Sequence, residues 1–73
     1  MKIYVLTRHD LSIYEETHSE TIYISAACSK EEEAVMYAKD FLKNNPCAYY
    51  EITSINLDEK YSEITCKIIS PED

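Results

Sequence analysis

The chain has 73 residues and a formal charge of −7, from 14 acidic against 7 basic side chains, and it contains no glycine. That charge weighs against direct nucleic-acid binding, whose sequence-independent component needs clustered Lys and Arg. Average usage of about 7% would give around five glycines. Their absence excludes phosphate-cradling loops, dinucleotide fingerprints and nucleophile elbows, which need close backbone approach or positive φ.

The length predicts one domain, 1–73, near the small end for independent folding. A chain of this size buries only about 60% of its unfolded surface, so a dimer or bound partner is expected to contribute to stability. No apolar run approaches the roughly 20 residues of a membrane helix, and MKIYVLTRHD lacks a signal-peptide pattern. The three cysteines, Cys28, Cys47 and Cys66, are never closely spaced. They read as reduced thiols in a cytoplasm, with no zinc set and no disulfide framework.

Residues 2–7 (KIYVLT) predict a central strand, Ile3 and Val5 on one face and Tyr4 and Leu6 on the other. Residues 8–20 form either a long hairpin loop or a continuation of the strand through Leu11 and Ile13. Residues 21–28 (TIYISAAC) predict a second strand, with Ile22, Ile24, Ala26 and Cys28 inward and Tyr23 outward.

Residues 29–44 (SKEEEAVMYAKDFLKN) predict the one helix. Ser29 and Glu32 have capping-box spacing, and Glu31, Glu32 and Glu33 suit the positive end of the dipole. At helical periodicity Ala34, Val35, Tyr37, Ala38, Phe41 and Leu42 fill one arc, while Met36 falls on the polar arc. Asn44-Asn45-Pro46 stops the helix.

Residues 48–57 predict a third strand with a phase break, which a β-bulge near Thr53-Ser54 would repair. Residues 60–69 predict a fourth, with Ile64, Cys66 and Ile68 inward. The expected fold is α+β: one ββαββ domain, a four-stranded, mainly antiparallel sheet with the helix packed on one face.

One helix covers one face, and the strand phases place Tyr4, Leu6, Tyr23, Tyr49 and Tyr61 on the other. A tyrosine-rich open face has the composition of protein interfaces, although aromatic residues are also simply good strand formers. Acidic residues gather toward both ends of the strands: Glu31, Glu32 and Glu33 at one, Asp10, Glu15, Glu16 and Glu20 at the other. Such clusters either steer the protein onto a basic partner or merely keep it soluble. His9, His18 and Cys47 have neither ligand spacing nor a basic neighbour that would activate a thiol. No catalytic residue, metal site or cofactor is expected.

The opening K-I-Y-V-L, the polar hairpin and the strand running into S-K-E-E-E-A-V-M-Y-A-K resemble small ββαβ-type proteins of bacteria and their phages. The first half also resembles HicB-type antitoxin domains, without their Pro-Gly-Cys turn. In size and acidity the chain is similar in kind to phage-encoded inhibitors such as anti-CRISPR proteins. The expected function is therefore non-enzymatic protein binding. The partner would be a basic nucleic-acid-handling host protein, met by Tyr4, Tyr23, Tyr49, Tyr61, Asp10, Glu15, Glu16, Glu20, Glu31 and Glu32. The alternative is a homodimeric regulatory or antitoxin-like module joined through the tyrosine face. No direct contact with nucleic acid or membrane is expected.

Overall fold

The computed structural model describes residues 2–12, 19–56 and 64–72. Strands β1 (Lys2–Ser12) and β2 (Ser19–Cys28) precede helix α1 (Glu31–Leu42), and strands β3 (Ala48–Asn56) and β4 (Thr65–Ile69) follow it. The strands form one sheet in the order β2-β1-β3-β4, with every neighbouring pair antiparallel. β2 and β3 thus run parallel on either side of β1, and α1 is the crossover that such a parallel pair requires. This is the expected α+β arrangement.

The helix lies on one face because its buried residues recur every fourth position. Ala34, Ala38 and Leu42 form a stripe over Leu6, Ala48, Tyr50, Ile52 and Ile69. Two alanines in that stripe let the helix sit close to the sheet. Val35 and Phe41 pack around it, while Met36 and Tyr37 are exposed. Tyr50 is the central residue, fully buried. The rings of Phe41 and Tyr37 stand edge-on to it at 5.6 and 6.1 Å, an arrangement favoured by the aromatic quadrupole.

One open alternative is decided, and other expectations change. β1 does not stop at Thr7 but continues to Ser12, the longer of the two alternatives; Ile13 lies outside the described residues. The capping box does not form, since Lys30 is the N-cap and no side chain caps the helix. At the other end the Asn45 amide donates to the Phe41 carbonyl at 2.7 Å, which satisfies one of the last orphan acceptors before Pro46.

The bulge lies in β2, not in β3. β3 pairs with β1 without interruption from Ala48 to Asn56. In β2, Ala26 lies opposite Leu6 and Ile24 opposite Thr7, so Ser25 is the extra residue. The buried Tyr50 hydroxyl supplies the physical reason, because it needs a polar partner. The Ser25 hydroxyl reaches it at 3.1 Å.

The bulge inverts the phase of half the strand. Ala26 and Cys28 pack on the helix side as expected, but Ile22 and Ile24 turn to the open face. Ile68 and Cys66 join them there, because β4 registers Ile69 against Tyr50 and Ile68 against Glu51.

Candidate functional site

Residues directly opposite in neighbouring strands share a face, so the pairing assigns each sheet side chain. Leu6, Tyr50 and Ile52 define the helix side. By register Tyr4, Arg8, Asp10 and Tyr23 share it. The open face carries Glu20, Ile22, Ile24 and Ala27 from β2, and Ile3, Val5, Thr7, His9 and Leu11 from β1. It also carries Tyr49, Glu51, Thr53 and Ile55 from β3, and Cys66 and Ile68 from β4. The expected tyrosine face is thereby corrected: Leu6 is core, Tyr4 packs against the core, Tyr23 is on the helix side, and among the described residues only Tyr49 remains of the expected set. Tyr61, Glu15 and Glu16 lie outside the described residues.

The open face is instead aliphatic at both edges. Ile24 is 75% exposed and Ile22 56% on β2, with Ile68 at 54% on β4. Ile64, just ahead of β4, is also exposed. Solvent-facing strand residues are normally polar, and scattered single exceptions carry no meaning. Isoleucines at both margins of one uncovered sheet are a surface feature of a different order.

Between those margins lies a hydrogen-bonded centre. The His9 ring stacks on Tyr49 at 4.4 Å and 8°, and the residue is only 8% exposed. Its Nδ1 lies 2.7 Å from Glu20 Oε1 and its Nε2 lies 3.4 Å from Glu51 Oε2. When protonated, the ring donates from both nitrogens. The Tyr49 hydroxyl donates to Glu20 Oε1 at 2.7 Å. The hydrogen bonds from Tyr49 and then His9 hold the Glu20 carboxyl below its ordinary value of 4.5. The same bond to Glu20 holds the Tyr49 phenol above 10.0, with burial adding to the rise. Both ring nitrogens face carboxylates.

On the helix side Arg8 lies between Tyr23 and Phe41, its guanidinium carbon 4.1 and 4.5 Å from the two ring centroids. Asp10 accepts from Arg8 at 3.1 Å and from the Tyr23 hydroxyl at 2.5 Å. Two expected partner-binding residues, Asp10 and Tyr23, are thus occupied with one another.

Glu31 and Glu32 are exposed and border an open groove of about 850 Å³ floored by Tyr4, Val35 and Met36. The same groove is rimmed by Lys30, Lys39 and Lys67. Three cations against two carboxylates leave it without acidic character. The structure therefore brings Tyr4, Glu31 and Glu32 together on the helix side and Tyr49 with Glu20 on the open face.

The sequence expectation placed Ile22, Ile24 and Ile68 inward, weighed His9 only as a ligand or acid–base candidate, and did not single out Glu51. Only β1 carried a usable signal, its alternation persisting through His9 to Leu11 once the longer strand is chosen. Comparison with protein families, curated proteins and solved structures finds no significant match.

Proposed function

We propose that this chain is a small, non-enzymatic protein-binding module that acts by surface complementarity through its uncovered sheet face. The observation that carries the reading is the exposure of isoleucines on both margins of that face, from 54% at Ile68 to 75% at Ile24. Apolar surface of this kind gains free energy when water is removed from it, roughly 25 cal/mol per Å². In the centre, Tyr49 donates to Glu20 and the His9 ring nitrogens face Glu20 and Glu51, contacts that lower the cost of desolvating these groups.

The sharper form is an inhibitor of the phage-encoded type that engages a basic, nucleic-acid-handling host protein. The net charge of −7 supports it, since clustered carboxylates steer association with Lys- and Arg-rich surfaces. The exposed Glu31 and Glu32 would take part at the helix start. A homodimeric module is the second reading, favoured by the replacement of tyrosine with isoleucine on the face.

The test is capture with the immobilised protein, comparing wild type with Ile24→Asp and Ile68→Asp in low and high salt. A protein retained by wild type and lost with either variant supports docking through the sheet face. Salt-sensitive retention supports the basic partner, because screening weakens exposed charge contacts. Retention unchanged by both variants would sink the reading.

A further inference from the structure

We infer that the occupant of the open sheet face is a second copy of this chain, packed face to face about a two-fold axis. This rests on the reading that the face docks protein, and takes the homodimeric form of it.

Composition favours self-association at this face. Among the described residues the strand cations Lys2, Arg8 and Lys67 all register on the helix side. Of the face's two carboxylates, Glu20 accepts from Tyr49, and both lie against the ring nitrogens of His9. What the face offers outward is therefore aliphatic, and an aliphatic surface is best matched by another.

Symmetry fits as well. A two-fold axis along the strands sets β2 of one copy over β4 of the other, and an axis across them sets β2 over β2. Isoleucine stands on both edge strands, Ile22 and Ile24 on β2 and Ile68 on β4. Either axis therefore places an aliphatic edge over an aliphatic edge, as a self-complementary interface requires.

The area is sufficient. Strand spacings of about 4.8 Å and rises of about 3.3 Å per residue make the face roughly 19 by 30 Å. That is on the order of 550 Å² before side-chain relief, close to the roughly 800 Å² of accessible surface per partner in a standard interface. The isolated chain also needs such a contact. Among the described residues the core has eight buried apolar side chains, of which Ala34, Ala38 and Ala48 are small. A second sheet would turn the exposed isoleucines into core, as in sheet sandwiches.

The experiment is light scattering and sedimentation equilibrium from low to high micromolar concentration. It compares wild type, Ile24→Asp, Ile68→Asp and the helix-side control Met36→Asp, with folding checked by circular dichroism. Wild type is expected at the mass of two 8.5 kDa chains. Each isoleucine variant should raise the dissociation constant roughly 30-fold or more, and the Met36 variant should leave it unchanged.

A dimer weakened by Ile24→Asp but not by Ile68→Asp would overturn face-to-face packing, because edge pairing through β2 leaves β4 untouched. A monomeric wild type at every concentration would overturn the second copy. Binding of an apolar fluorescent dye then separates the two ideas. Dye bound by wild type and lost in the isoleucine variants would keep the face as a docking surface. No dye bound by any form would overturn the docking reading too.

Discussion

Tyr50 and His9 are the two residues on which the two faces of the sheet depend. Tyr50 is fully buried, yet its hydroxyl is satisfied by Ser25. Tyr50→Phe should therefore cost about 1 kcal/mol, lowering the melting temperature by roughly 4–8 °C in a domain of this size. Calorimetry checks it, and no loss would mean that the hydroxyl pair contributes nothing. On the open face, Glu20 links His9 and Tyr49. Its folded carboxyl titrates below 4.5, so its stabilising effect is present above that value and lost as pH falls through the folded one. Tyr49 titrates above 10.0, so its effect is present below that value and lost as pH rises through the folded one. Glu20→Gln should flatten the acid limb of a denaturant-midpoint profile and bring the Tyr49 phenolate absorbance step back toward 10.0. A phenolate step that does not move would break the link. The apolar arc of the helix was legible at this scale because periodicity names buried positions directly. The pairing of His9 was not, since Glu20 and Glu51 stand 11 and 42 residues away from it in the chain.

The Ser25 bulge in β2 is the element that decides which isoleucines are core. From residue pattern alone, T-I-Y-I-S-A-A-C reads as one uninterrupted alternation. The register change between Leu6 and Thr7 splits it into two halves facing opposite ways. Nothing local marks that change, because its cause is the distant Tyr50 hydroxyl. For the same reason the phase break in β3 was misread as a bulge. A strand with apolar side chains on both faces looks identical to a bulged one when its partners are unknown. Strand number, helix position and the antiparallel arrangement were legible, since they follow from periodicity and one-sidedness. Deleting Ser25 takes out the extra residue, so Ala26 and Ile24 become successive in a regular strand; Ile22 and Ile24 should stay on the open face, while the buried Tyr50 hydroxyl loses its Ser25 partner. Hydrogen exchange is expected to show protection retained across β2 and the adjoining part of β1, with the melting temperature lowered through the unpaired Tyr50 hydroxyl. Loss of protection there would mean that the bulge itself holds the β1–β2 register. Helix α1 lacks a side-chain N-cap, so Lys30→Asp should stabilise the fold by about 1 kcal/mol, read as a raised denaturant midpoint. An unmoved midpoint would contradict that expectation.

At the scale of the whole molecule, an acidic chain presents two unlike sides. The helix side carries Arg8 with its aromatic and carboxylate partners, and a groove of mixed charge. The other side is an uncovered sheet, aliphatic at its margins and hydrogen-bonded at its centre. The central claim is that this second side is covered when the protein acts. Hydroxyl-radical footprinting across a dilution series tests it most directly, with Met36, which is 64% exposed on the helix, as the internal reference. The expected result is that Ile22, Ile24 and Ile68 are shielded at high concentration and become labelled on dilution, while Met36 labels equally throughout. Isoleucines labelled to the same extent at every concentration, and unchanged when a captured partner is added, would contradict it.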